Sequence, residues 1–151
     1  MARTFDAQHL KGLHHQFFQD VYEWAGEFRT VGLAKGEGDD TSFIPPLENE
    51  LPVAHVAQRI AESDRLRRTS DDDLVAETTY LYDYLNFAHP FREGNGRTQR
   101  EFFVQLLEAR GRHMAWERIE MEQLHNACHV ARTVGDTRPL SEVMRVVLSD
   151  E

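Results

Sequence analysis

Twelve consecutive residues, His89-Pro90-Phe91-Arg92-Glu93-Gly94-Asn95-Gly96-Arg97-Thr98-Gln99-Arg100, constrain this chain more than any other segment of it. They gather a base, an acid, an amide between two glycines, and three arginines at one loop-to-helix junction. Glycine tolerates positive φ, which turns successive backbone N–H groups toward one point, and a helix starting at about Gly96 adds its positive dipole end to that cradle. Arg97 and Arg100, three residues apart, share a helix face directed at the same anion. Basic side chains oppose the positive end of a helix unless something anionic is bound there. The junction therefore reads as a phosphate cradle. An arginine-rich helix start after a solvated turn accounts for any one of these residues, but poorly for all of them together.

With 151 residues, the chain is expected to form a single domain over 1–151, its first residues and C-terminal tail peripheral, with a core that needs no disulfide or metal staple. Its one cysteine, Cys128, makes no internal bridge, which fits a reducing cytosol; the plain reading is a small apolar residue on a helix face. No apolar run approaches the roughly 20 residues that span a bilayer, and the opening Met-Ala-Arg-Thr-Phe-Asp lacks a signal-peptide core. A cytoplasmic protein with no membrane partner is the expectation. A net charge of −9 argues against general nucleic-acid binding, which needs an extended basic surface. Arg92, Arg97 and Arg100 form a local positive island on that acidic background, suited to a compact polyphosphate.

Apolar periodicity predicts a mainly α fold. Asp6 is a candidate N-cap for a helix whose stripe, Leu10, Leu13, Phe17, Phe18 and Val21, runs to about Trp24. His14 and His15 lie within it about 100° apart, a poor geometry for binding one metal. Pro52 suits a first helical position ahead of Val53, Val56, Ala57 and Ile60, and Ser70 can cap the helix that delivers the chain to His89. After the cradle, Phe102, Phe103, Leu106 and Leu107 form a stripe ending at Gly111, a left-handed C-cap, so this helix is expected to be central and buried. Two more helices are expected, from about Arg118 to Thr133 and from about Pro139 to Leu148. The exception is a short β-hairpin, Glu27–Leu33 and Thr41–Ile44, stopped by Pro45 and Pro46. It is either a surface hairpin packed on its own domain or an exposed edge that pairs with an extended segment of another protein.

The cradle resembles, position for position, the signature of Fic-domain proteins, His-x-Phe-x-(Asp/Glu)-Gly-Asn-Gly-Arg-x-x-Arg. Leu13-His14-His15-Gln16 and Tyr22-Glu23-Trp24-Ala25-Gly26-Glu27-Phe28-Arg29 upstream are also similar to that family. The resemblance implies a Fic-like helical domain that moves AMP from ATP, with Mg²⁺, to a Tyr, Ser or Thr hydroxyl of a protein, releasing pyrophosphate. It implies that the hairpin is a flap holding an extended loop of the target, with Phe43, Ile44 and Pro45 as contact residues. UMP, GMP or phosphocholine transfer stays open, as does a catalytically silent binding module. Doc-like phosphate transfer fits less well, because that branch resembles Asn-Lys-Arg where this chain has Asn95-Gly96-Arg97.

Roles within the motif follow from residue chemistry. Attack of a hydroxyl on phosphorus needs a base, and histidine has the pKa nearest operating pH, so His89 is the candidate. Pro90 ends the preceding helix and Phe91 anchors the loop in the core. Glu93 can offer oxygen to Mg²⁺, or can pair with a neighbouring arginine. Gly94, Asn95 and Gly96 supply backbone donors, and the Asn95 amide can orient an α-phosphate oxygen. By analogy with the family, Arg97 would hold the inner triphosphate and Arg100 its γ end. Asn86 is a candidate brace for the loop, and the helix around Asn126 a candidate adenine contact. His125 and His129 lack the glutamate of a zinc-protease motif, since Asn126 stands there.

Many Fic proteins silence themselves with Ser/Thr-x-x-x-Glu-Gly/Asn, whose glutamate pairs with the last motif arginine. No such motif occurs: Leu33, Ile44 and His89 stand four before Glu37-Gly38, Glu48-Asn49 and Glu93-Gly94. The resemblance then implies inhibition by a separate antitoxin supplying a glutamate to Arg100, or by a part missing from this chain, in a bacterial cytosol or, for a secreted effector domain, a host cytosol. A family-like Gly-Thr-x-Thr-Leu stretch before the first helix is also missing, as in a minimal member or a trimmed domain.

Overall fold

The computed structural model describes residues 2–29 and 50–149. These form α1 (Ala7–Phe18), α2 (Glu50–Glu62), α3 (Asp71–Ala88), α4 (Asn95–Ala109), α5 (Met121–Thr133) and α6 (Arg138–Val147), with one 3₁₀ turn at Trp116–Arg118 before α5. Among the described residues there is no strand, and Glu27–Arg29 are irregular. The rest of the expected hairpin, including Phe43, Ile44 and Pro45, lies outside the described residues.

Several helix starts are set by single side chains. Asp6 accepts the His9 N–H at the head of α1, and Ser70 accepts the Asp73 N–H at the head of α3, each satisfying an amide that has no helical acceptor. Asp71, Asp72 and Asp73 occupy the first turn of α3, where negative charge favours the positive helix end. Pro52 falls in the first turn of α2, two residues after its start at Glu50, where a missing N–H costs no helical hydrogen bond. Between α2 and α3 the chain reverses through Asp64, Arg65 and Leu66, all at positive φ, and plugs Leu66 into the core.

α4 buries one face in the core, while α3 has the most helix neighbours. Phe102, Phe103, Leu106 and Leu107 are almost wholly buried, and the helix packs on α1 and α3. α3 in turn carries α2, α5 and α6 on its other sides. The helix that leads into the motif, α3, therefore ties most of the bundle together, and α4 is held between it and α1. No described helix is long and apolar enough to cross a membrane.

α1 stops at Phe18, six residues before the expected end at Trp24, and Val21 is 66% exposed, not part of the apolar stripe. Tyr22, Ala25 and Glu27 donate instead to Phe18, Tyr22 and Trp24 carbonyls in successive turns that end at Gly26, φ 89°. A continued helix would carry Trp24 about 15 Å along the axis from His14. The turns bring its ring centroid to 5.8 Å from the His14 ring and stack it on Tyr22 at 4.2 Å. Aromatic packing outweighs the helical continuation. The fifth helix likewise begins at Met121, not at about Arg118, because the 3₁₀ turn precedes it.

α1 holds two buried histidines. His9 accepts the Phe5 N–H on Nδ1 at 3.0 Å, and its Nε2 lies 2.8 Å from Gln105 Oε1, so the neutral Nε2–H tautomer satisfies both. Burial pushes its pKa below the ordinary value, with the Gln105 bond opposing. The unfolded chain then takes up the proton more readily, so this contribution to stability is whole above about pH 6.5 and is lost as pH falls through the lowered folded value. The urea midpoint is expected to fall on acidification below about pH 6.5, before carboxylates titrate. In His9→Gln the midpoint is lower at neutral pH but flatter across that window; equal slopes in both proteins would exclude His9 as a source.

Candidate active site

α3 ends where the motif begins. His89 takes a left-handed conformation, φ 42° and ψ 59°, as the C-cap of α3, its N–H donating to the Leu85 carbonyl at 3.1 Å. Pro90 cannot continue the helix, and Phe91 drops into the core at 1% exposure. Asn95 closes the loop from the far side. Its Nδ2 donates to the Phe91 carbonyl at 2.6 Å and its Oδ1 accepts the Phe91 N–H at 2.8 Å, so both ends of the amide are engaged by backbone. The side chain expected to orient phosphate also braces the loop. Beyond this brace, Asn95 still has the second proton of Nδ2 and its own backbone N–H at the head of α4 to offer an anion.

α4 starts at Asn95, one residue before the expected position, with Gly94 as its N-cap at φ 79°. Of the two motif glycines, Gly94 alone needs positive φ. A Cβ there would also stand 2.3 Å from Phe18 Cε2. Gly96 is helical and serves a different purpose: a Cβ on it would meet Arg100 Nη1 at 3.0 Å. The first intrahelical bond reaches from Thr98 N–H to the Gly94 carbonyl at 3.2 Å. The amides of Asn95, Gly96 and Arg97 precede it, and with the helix dipole they form an anion site.

Residues of α1 and the turn after it shape this junction. His14, fully buried, accepts the Gly26 N–H on Nδ1 at 2.9 Å, which leaves the proton on Nε2, 2.8 Å from the Glu93 carbonyl. Its ring lies flat on Phe91, with centroids 3.9 Å apart at 9°. Burial lowers its pKa, with the Glu93 hydrogen bond opposing, so the neutral form is favoured. Phe17 carries the Arg97 guanidinium over its face at 4.2 Å, and Trp24 carries that of Arg92 at 5.0 Å. Arg29, 2% exposed, donates from Nε to the His89 carbonyl at 2.7 Å. Sequence reasoning noted these upstream stretches but assigned no role in the site to Phe17, Phe18, His14 or Arg29. For His14 and Arg29 the signal lies in Leu13–Gln16 and Tyr22–Arg29, family-like segments without an evident task; Phe17 and Phe18 lie outside them, in the apolar stripe of α1.

The expected residues meet at one place: His89 closes α3, Gly94 and Asn95 open α4, and Gly96, Arg97 and Arg100 lie along its first turns. Arg100 is half-buried beside the Tyr82 hydroxyl, whose pKa is driven up by burial and by Cys128, with the Arg100 hydrogen bond opposing. Among the described residues no carboxylate lies within ion-pair range of Arg92, Arg97 or Arg100, and none of these pairs with the exposed Glu93. Glu93 is thus a single unpaired carboxylate beside an anion site, a donor set that fits a Mg²⁺ ion taking its other oxygens from phosphate and water. Among the described residues no group of three or more His, Cys, Asp and Glu could hold a metal, and His125 and His129 are both exposed. Asn86 makes no side-chain hydrogen bond to a described residue; Asn95 and Arg29 do the bracing expected of it. Asn126 is exposed on α5.

Gly94→Ala is expected to lower stability by about 1–3 kcal/mol, through the left-handed backbone and the clash with Phe18. Adding Phe18→Ala removes the clash but not the strain. The double variant should lose less than the sum of the two singles in denaturant midpoints; strict additivity would contradict the contact.

Comparison with known proteins places this geometry. The Fic/DOC family model matches residues 4–107. The chain is 35% identical over 150 residues to protein adenylyltransferase VbhT of Bartonella schoenbuchensis, covering 99% of the chain and 30% of that protein. It is 35% identical over 144 residues to the probable protein adenylyltransferase y4lH of Sinorhizobium fredii, covering 94% of the chain and 73% of that protein. The fold matches the N-terminal Fic domain of a putative cell filamentation protein of Bartonella quintana, solved with bound ADP: TM-score 0.87, 26% identity, 95% of the chain and 72% of the other. The chain spans less than a third of the Bartonella schoenbuchensis relative, whereas the family match takes in α1 through most of α4 with the whole junction between α3 and α4. The chain belongs to the Fic/DOC family.

Proposed function

We propose that the chain is a protein adenylyltransferase that moves AMP from ATP to a Tyr, Ser or Thr hydroxyl on an extended loop of a target protein. The observation that carries this reading is the helix N-terminus at Asn95–Arg97 with Arg97 and Arg100 unpaired on its face and His89 closing the helix before it. Relatives covering nearly all of the chain are named protein adenylyltransferases, which favours AMP over other donors.

In this reaction the triphosphate lies along the amides of Asn95, Gly96 and Arg97, held by Arg97 on its inner part and Arg100 at its γ end. Glu93 would hold Mg²⁺, which would offset charge on the phosphate oxygens. His89 takes the proton of the target hydroxyl as its oxygen bonds to the α-phosphorus and the bond to pyrophosphate breaks. Donors fixed before the reaction starts provide the main stabilisation of the charge that develops. Gly96 keeps the helix start open for this arrangement, where the longer side chain of Doc-like proteins would crowd it. A separate antitoxin offering a glutamate to Arg100 would displace the γ-phosphate; the absence of any described carboxylate at Arg100 favours an inhibitor from outside these residues. Phe43, Ile44 and Pro45 would hold the target loop.

The test uses a host-cell lysate, Mg²⁺ and ATP labelled at either the α- or the γ-phosphorus. A labelled protein band from the α label alone is expected, and it should vanish in His89→Ala. Label from γ alone contradicts AMP transfer and favours phosphate transfer; no label from either favours a silent binding module.

A further inference from the structure

His89 sits in a backbone conformation that side chains of L residues rarely adopt, at φ 42° and ψ 59°. Left to itself such a residue relaxes toward right-handed or extended values, and its side chain swings with the backbone. Something must hold it. Pro90 has no N–H to offer, so its side of the peptide can be held only through carbonyl oxygens.

Arg29 engages those carbonyls. Its Nε donates to the His89 carbonyl at 2.7 Å, its Nη2 lies 3.4 Å from the Ala88 carbonyl, and its backbone N–H donates to the Pro90 carbonyl at 2.7 Å. Three consecutive carbonyls, 88 to 90, are engaged by one residue from sixty positions upstream. The guanidinium is buried, which lowers its pKa, and burying a charge is costly. The negative end of α3 compensates, and the planar fork addresses neighbouring carbonyls as an ammonium cannot.

We infer that Arg29 is a positioning residue for the transfer reaction, locking the His89–Pro90 peptide so that the imidazole meets the cradle in one orientation. This rests on the role proposed for His89. It separates two tasks in one site: the head of α4 binds the nucleotide, and Arg29 aligns the base with it. Replacing Arg29 should therefore spare binding and impair the chemical step.

The experiment compares the full chain with Arg29→Lys, which keeps the charge but loses the fork, and Arg29→Gln, which loses both. Circular dichroism establishes folding, calorimetry gives the stoichiometry and Kd for ATP with Mg²⁺, and the α-label assay gives kcat and KM. The expected result is unchanged stoichiometry and Kd with kcat lower by about 100-fold, the usual cost of a misplaced group. Unchanged kcat overturns the inference, and so does a loss of binding in parallel with rate. An activity-free arm covers the case in which the unaltered chain labels nothing, which would sink the proposed function alone. The ¹³Cα shift of His89 should leave its left-handed value in the folded variants, and an unmoved shift overturns the clamp. Where neither variant folds, exchange of the Arg29 Nε proton in the unaltered chain decides: slow exchange is expected, and rapid exchange refutes the buried bond.

Discussion

The neutral His14 ring is the contact on which the site depends. It accepts the Gly26 N–H, donates to the Glu93 carbonyl and lies flat on Phe91, so a single imidazole joins α1, the turn after it and the loop between α3 and α4. Removing the ring would take away the partner of the part-buried Gly26 N–H and Glu93 carbonyl, each bond worth about 1 kcal/mol, and would undercut Phe91 as well. Only the neutral tautomer serves, since a second ring proton would face the Gly26 N–H. Burial, which disfavours the charged form, thus supports the same hydrogen-bond pattern that shapes the loop.

Two helix ends of opposite sign meet at this loop. The C-terminal carbonyls of α3 are held by a buried cation, Arg29, which the dipole favours. The N-terminal amides of α4 face Arg97 and Arg100, which the dipole disfavours. Stacking of Arg97 on Phe17 and the hydrogen bond from Arg100 to Tyr82 hold these guanidiniums in place without neutralising them. An anion in the gap would resolve the conflict. A chain of net charge −9 that concentrates unpaired arginines at one helix start has spent stability on readiness to bind.

Much of this was legible before any coordinates. Asp6 and Ser70 as caps, α4 as the buried helix and the junction itself all follow from local pattern, because each depends on neighbours a few residues apart. The roles of His14 and Arg29 do not. Their partners are backbone atoms 12, 79 and 60 residues away, and periodicity carries no information about a carbonyl. The brace made by Asn95 is hidden for a related reason: its residue type suits a phosphate, but Phe91 also lies within reach and engages both ends of the amide. The early end of α1 escaped notice because Val21 matches the helical spacing, while the pull of Trp24 toward His14 is tertiary.

The central claim is that the start of α4 seats a triphosphate with its α-phosphorus toward His89. A crystal structure of the chain with Mg²⁺ and a non-hydrolysable ATP analogue tests it most directly. The expected result is a triphosphate on the amides of Asn95, Gly96 and Arg97, Arg100 at its γ end, and the α-phosphorus nearest His89. A nucleotide bound elsewhere, or one seated with its γ-phosphorus nearest His89, would contradict it.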